Sequence, residues 1–267
     1  VPRKEDMVCL PRRFKVMASE DAIPFRFSLK TGPLLEQGSI GTCSSCVISA
    51  SIMTQQLNGP DGAIGIHISR LFLYYLERLL SMDPGQTQVI DNGAINMDGI
   101  EALHKQGVCH ETTWPYDYTK VNVRPSKEAY EEAKLNRGMV KAYGSIKTDG
   151  NFIQNIKKSL LANIPVLISL QIFPAFYSFE VRRTGMVPMP TPGQKQIGGH
   201  ELLIVGYDDE KRVFKCQNSW GPRWGDGGFC YFPYNYINNR TWTFDASVFQ
   251  IKQEKRQLVL LSSIMPS

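Results

Sequence analysis

Nothing in this sequence approaches the run of about 20 apolar residues that a membrane-spanning helix needs. Residues 1–20 lack the hydrophobic core of a secretory signal, and no repeat or low-complexity tract appears along the chain. Cysteine is sparse: six in 267 residues, with no evident pairing pattern, are too few for a disulfide framework. Strong charge is lacking too. The formal net charge of +5 comes from 30 basic and 25 acidic side chains that are interspersed, which gives no footprint for nucleic acid or for a membrane surface. Arg3-Lys4 and Arg12-Arg13 make the N-terminus locally basic, a solvated tail. Together these absences favour a reducing, intracellular setting, against which the single sequon Asn239-Arg240-Thr241 weighs little.

What is present is an ordinary globular composition, with 42% apolar and 21% charged residues, long enough for one large domain or two lobes sharing a cleft. Residues 1–36 read as an extended arm with one short strand over residues 24–28. Cys46, Ala50, Met53 and Leu57 then mark a helical stripe, and Ile68, Leu71, Phe72, Tyr75 and Leu79 mark a second helix preceded by His67. Asp98 is placed to cap a short helix that Gly107 ends, Ser126 opens a polar helix, and Phe152 to Leu161 form another that Pro165 stops. From Pro165 the pattern changes. Residues 165–173, 201–207, 212–217 and 229–232 are β-rich runs separated by turn residues. The fold class expected is α+β: a mainly helical part over 37–135 and a mainly β part over 136–267, within a single domain 1–267.

The stretch Gln37-Gly38-Ser39-Ile40-Gly41-Thr42-Cys43 places a thiol where a glycine loop gives way to a helix. A helix N-terminus carries roughly half a positive charge and favours thiolate there. Three readings of Cys43 and Cys46 stay open from this stretch alone: buried packing, a redox pair or half a zinc site, and a nucleophile. Zinc would need two further ligands, and neither Cys109-His110 nor the separated Cys216 and Cys230 supplies a second paired motif.

A nucleophilic thiol needs a base. Of the four histidines, His200 stands apart: Gly198-Gly199 frees the backbone before it, and the apolar strand 201–207 follows. A hairpin turn at Asp208-Asp209-Glu210-Lys211 would set positions 200 and 218 nearly opposite each other, so Asn218 is the partner expected for the imidazole.

These blocks resemble the papain-like cysteine peptidases. The resemblance is carried by Gln37-Gly38-x-x-Gly41-x-Cys43, by Gly199-His200 with its strand ending Val205-Gly206-Tyr207, and by Asn218-Ser219-Trp220-Gly221-x-x-Trp224-Gly225-x-x-Gly228. The order Cys, His, Asn and the roughly 150-residue separation of the first two agree with that family. The resemblance implies a two-lobe fold, helical then β-barrel-like, with the site in the cleft. It implies endopeptidase chemistry through a thiolate–imidazolium pair: Cys43 as nucleophile, His200 as acid and base, Asn218 as orienter, and Gln37 with the backbone N–H of Cys43 as oxyanion donors. Trp220 would shield the His200–Asn218 contact. Gly93 and Ala94 would meet substrate backbone, and Glu201 would line a pocket biased toward polar or basic side chains. The partners implied are a polypeptide substrate and a protein inhibitor or pro-segment, with no cofactor or metal.

Ile40 and Ser44 depart from the family's local signature, which has a cysteine and a bulky aromatic at those places, and the pattern is closer to the microbial and large-DNA-virus branch. Two other functions are compatible with a Cys and His pair: a transglutaminase-like or other acyltransferase, and a catalytically silent binding protein that keeps the fold. Residues 174–197 are where an occluding element, and with it exopeptidase activity, would be built.

Overall fold

The computed structural model describes residues 23–252. The basic pairs Arg3-Lys4 and Arg12-Arg13, Cys9 and the first part of the expected arm lie outside the described residues. In chain order the elements are β1 (Arg26–Ser28), α1 (Cys43–Leu57), α2 (Arg70–Leu80), α3 (Asn96–Gln106), α4 (Lys127–Leu135), β2 (Val140–Ser145), α5 (Phe152–Leu161), β3 (Val166–Ile172), α6 (Phe179–Thr184), β4 (Gly198–Asp208), β5 (Val213–Gln217), β6 (Phe229–Pro233), α7 (Tyr234–Ile237) and β7 (Thr243–Ile251).

The strands form one antiparallel sheet in the order β2-β7-β3-β4-β5-β6, with β1 joining β4. β4 is the organising strand. Its first part pairs with β3, from Gly198 opposite Ile172 to Ile204 opposite Val166, and its last residues pair with β1. Strand alternation sends neighbouring side chains to opposite faces. Leu202 and Ile204 therefore join one apolar cluster with Ile168 and Phe152 of α5, while Leu203 and Val205 join another with Ile48 of α1, Phe72 of α2 and Ile100 of α3.

α1 differs from the expected stripe. Twelve of its residues, Ser44 to Gln55, are buried, so the helix is enclosed on nearly all sides, and Leu57 is only half-buried. Its small residues, Ser44, Ser45, Ser49, Ala50 and Ser51, let neighbours approach closely all round. Gln55 ties the helix to the sheet: its Nε2 donates to the Phe249 carbonyl and its Oε1 accepts from the Ile251 N–H.

The other helices follow their signals with two shifts. Ser69 and Ser126 cap α2 and α4 by accepting from the backbone N–H groups of Phe72 and Ala129. Ile68 lies outside α2, bridged to His110, and α3 begins two residues before Asp98, which sits in its first turn rather than at its cap. Gly107 ends α3 at φ +78°, and a Cβ there would meet the Ala133 carbonyl oxygen at 2.1 Å.

Two strands carry no plain sequence signal: β2 contains a glycine, and β7 interrupts its apolar run with Asp245 and Ser247. The hairpin expected at residues 208–211 is present but reaches one residue further. Arg212 takes a left-handed φ of +54°, and Asp208 Oδ1 accepts from the N–H groups of Glu210 and Lys211. Lys157 of α5, buried, bonds Asp209 in that turn and lies 5.0 Å from each of the Tyr207 and Tyr234 ring centroids.

Candidate active site

Cys43 is the first residue of α1, and its neighbours tie that helix end to four other elements. Gly41 N–H donates to Asp91 Oδ1 at 2.9 Å, and the Tyr74 hydroxyl of α2 donates to the same oxygen at 2.6 Å. Ser44, fully buried, donates to Glu77 Oε2 at 2.6 Å. Where the family signature has a bulky aromatic after the cysteine, this chain has a serine–carboxyl pair, and Gly99 vacates the space: a Cβ there would meet Glu77 Oε1 at 2.3 Å. Glu201 of β4, the residue after His200, lies close enough to Cys43 for its carboxyl and its backbone N–H to act on the thiol.

His200 is buried on β4, and its Nε2 lies 2.7 Å from Asn218 Oδ1. The pairing is diagonal rather than directly opposite. A bulge between Ile204 and Gly206 and the longer turn at Arg212 pair Leu203 with Gln217, which shifts Asn218 away from the position facing His200. Asn218 Oδ1 also accepts from the Ser219 N–H. The Trp220 ring, half-buried, stands 5.0 Å from the His200 ring, with Phe176 at 6.0 Å from His200 and Tyr177 at 5.3 Å from Trp220. Phe176 and Tyr177 belong to a tight helical turn at Pro174–Tyr177 inside the segment expected to be a plain loop.

Gln37 sits against the same corner. Its backbone N–H donates to the Ser219 carbonyl, its Oε1 accepts from Ser219 Oγ at 2.6 Å, and its Nε2 donates to the Ile40 carbonyl at 3.0 Å. An amide nitrogen has two N–H donors, so one remains for a ligand. The Tyr116 hydroxyl donates to the Gln37 carbonyl and contacts Thr42 Oγ1. Cys46 is buried, against Thr42 Oγ1 and Arg70, both at 3.9 Å.

Gly93 adopts φ +85°, and its N–H donates to the Tyr74 hydroxyl at 3.0 Å. That N–H is therefore used within the protein, which leaves the Gly93 carbonyl as its backbone group for a ligand. Ala94 follows it, partly exposed. Glu201 also differs from an open pocket wall. Its carboxyl is buried, accepts from Ser169 Oγ at 2.6 Å and bonds Asn96 Nδ2 of α3, with Asp245 of β7 and Glu77 of α2 close enough to raise its pKa.

Electrostatics at this site differ from a helix-end thiolate at rest. Burial, then the charge of Glu201, pushes the Cys43 thiol well above its ordinary range, against the Glu201 N–H, which lowers it. Burial brings His200 down to about 4, opposed by its bond to Asn218. Burial also raises Glu77 and Glu201 to about 8. The α1 terminus does favour an anion, but the desolvation of an enclosed helix outweighs it. Burial thus works against charge on the thiol and on the imidazole alike.

A family model for the papain family cysteine proteases matches residues 34–248. The chain belongs to that family. An uncharacterized peptidase C1-like protein of Acanthamoeba polyphaga mimivirus is 33% identical over 219 residues, 81% of this chain and 69% of that protein. Cysteine proteinase 3 of Dictyostelium discoideum is 28% identical over 215 residues, and the chain spans 57% of its length. Among solved structures, xylellain, a cysteine protease from Xylella fastidiosa, superposes with a TM-score of 0.74 at 30% identity, covering 86% of this chain and 87% of that one. The papain-like α+β fold expected from the sequence is the fold observed.

Sequence reasoning missed Asp91, Tyr74, Tyr116, Phe176, Tyr177 and Ser219. Ser219 lay inside a quoted motif and was the one within reach; the others are joined to the site only by the fold.

Proposed function

We propose that the protein is a cysteine endopeptidase, with Cys43 as nucleophile, His200 as general base and acid, Asn218 as orienter and Gln37 as oxyanion donor. The observation that carries this reading is the His200 Nε2 to Asn218 Oδ1 bond of 2.7 Å on β4, whose next residue, Glu201, lies close enough to Cys43 to act on its thiol. With Nε2 committed to Asn218, Nδ1 is the ring nitrogen left to take the thiol proton.

In this reading the proton moves from Cys43 Sγ to His200 as Sγ attacks the scissile carbonyl carbon. The oxyanion is met by the free N–H of Gln37 Nε2 and the backbone N–H of Cys43, which has no intrahelical acceptor. Collapse breaks the C–N bond, and His200 gives its proton to the leaving amine. Water, deprotonated by His200, then hydrolyses the thioester. Donors and dipoles fixed around the pair stabilise charge as it develops, the arrangement that lowers a barrier.

Trp220 stacks beside the His200 ring and keeps water from its bond to Asn218. Substrate backbone meets the Gly93 carbonyl and Ala94. Glu201, with Ser169 and Asn96, floors a polar pocket behind the nucleophile and biases it toward basic or hydrogen-bonding side chains. An unchanged preference of Glu201→Ala across a library varied at P2 overturns that assignment.

Neither a silent scaffold nor an acyltransferase is favoured by a specific contact. The test is hydrolysis of a broad peptide library by the chain and by Cys43→Ala. Cleavage by the first and none by the second supports the reading; amine incorporation into a glutamine peptide without hydrolysis would replace it with the acyltransferase.

A further inference from the structure

Cys216 on β5 and Cys230 on β6 are register partners in the antiparallel ladder. Both are fully buried and both are free thiols. The two thiols are near enough for each to act on the other's charge, and Cys216 Sγ points to the Phe214 carbonyl at 3.9 Å. Directly paired residues on antiparallel strands have Cα atoms about 4.5–5.5 Å apart, inside the roughly 4.4–6.8 Å range that disulfides span. The other described cysteines do not compete for this pair: Cys43 and Cys46 lie on α1, and Cys109 is buried in the cluster on the opposite face of the sheet.

We propose that Cys216 and Cys230 are a dithiol that a small disulfide oxidant closes into a cross-strand disulfide, stapling β5 to β6. The first thiolate attacks the oxidant's S–S bond, forming a mixed disulfide and releasing one small thiol. The second thiolate then attacks the protein sulphur of that mixed disulfide, the protein S–S bond forms, and the second small thiol leaves. Two protein thiols are oxidised by two electrons and one small disulfide is reduced to two thiols, the protons lost from the protein appearing on them.

The position gives the staple its consequence. Two residues after Cys216 comes Asn218, two before Cys230 comes Gly228, and the Asn218 N–H donates to the Gly228 carbonyl at 3.0 Å. The disulfide would fasten the ladder beside the contact that seats the partner of His200. It closes a loop of about 15 residues, a length for which cross-linking restricts the unfolded chain appreciably. Because both thiols are buried, the rate of closure is set by local opening of β5 from β6. The inference rests on the ladder alone and holds whether or not the chain is a peptidase.

The experiment uses the full chain as Cys43→Ala, which removes the reactive thiol and self-cleavage. The protein is incubated with oxidised glutathione at a temperature a few degrees below its Tm, quenched in acid, alkylated under denaturing conditions, digested and mass-mapped. The expected result is a single linked pair of peptides joining Cys216 to Cys230, with Tm higher by about 6–12 °C than in the dithiothreitol-treated protein. Recovery of Cys216 and Cys230 as separately alkylated or separately glutathionylated peptides overturns the proposal, as does a link from either to any other cysteine. The same mapping needs no further variant; Cys230→Ala, if it folds, must lose both the link and the Tm gain.

Discussion

His200 Nε2 and Asn218 Oδ1 lie 2.7 Å apart although the ladder does not set the two residues opposite each other. The bond is made diagonally, with Oδ1 also held by the Ser219 N–H and the Trp220 ring 5.0 Å from the imidazole. Asn218 Oδ1 is thus held by a backbone N–H as well as by the ring, which suits a residue that orients the imidazole.

Replacing Asn218 with alanine should therefore lower kcat with little change in KM. A buried hydrogen bond to a group that becomes charged is worth about 1.5–3 kcal/mol, which corresponds to roughly 10- to 150-fold in rate. The loss should be smaller than that of Cys43→Ala. Steady-state kinetics on one peptide checks the split between kcat and KM.

Gln37→Ala removes the side-chain donor assigned to the oxyanion. The expected cost is about 10²- to 10³-fold in kcat. Because Gln37 also accepts from Ser219 Oγ, Gln37→Glu is the informative companion. It keeps that acceptor and loses the donor, so its kcat should fall as far as that of alanine while its Tm stays nearer the parent.

Glu77 and Glu201 give the fold a pH dependence. Both carboxyls are raised from 4.5 to about 8 by burial, so between those values the folded chain holds protons that the unfolded chain releases. Stability then falls as pH rises from about 4.5 through about 8 and levels off above it. In a Cys43→Ala background the Tm should drop over this window. In the double variant Glu77→Gln, Glu201→Gln the drop should be shallower, by about 5 °C. Thermal scans at half-unit steps of pH measure it; parallel curves would remove the carboxyls as the cause.

Gly99→Ala tests the packing under the nucleophile. Its Cβ would meet Glu77 Oε1 at 2.3 Å and Ile48 Cδ1 at 2.4 Å, so the ends of these α2 and α1 side chains would have to shift. A cost of about 1–3 kcal/mol in stability is expected. Since Glu77 holds Ser44, kcat should fall as well, and a denaturant titration beside the kinetics reports both.

Much of this was legible before any coordinates. The three motif blocks held the thiol, the imidazole and the amide, and the caps at Ser69 and Ser126 and the stop at Gly107 acted through local chemistry that a sequence displays. What stayed hidden was decided at long range. β7 reads poorly because Asp245 and Ser247 interrupt it, yet it is a central strand between β2 and β3. α1 shows a partial stripe but is enclosed on nearly all sides. The surroundings of the thiol were also beyond a sequence reading: the helix end favours thiolate, and burial beside two carboxyls from α2 and β4 works against it. Asp91, two residues before Gly93, joins Gly41 to Tyr74, a role that only the fold assigns.

The most direct test of the central claim is mass mapping of the chain after brief exposure to a substoichiometric epoxide or vinyl-sulfone thiol reagent under reducing conditions, with peptide hydrolysis followed in parallel. Cys43 as nucleophile predicts modification at Cys43 alone, loss of hydrolysis in proportion to labelling, and slower labelling in His200→Ala. Labelling at Cys46 in its place, or hydrolysis that survives complete modification of Cys43, would contradict the account.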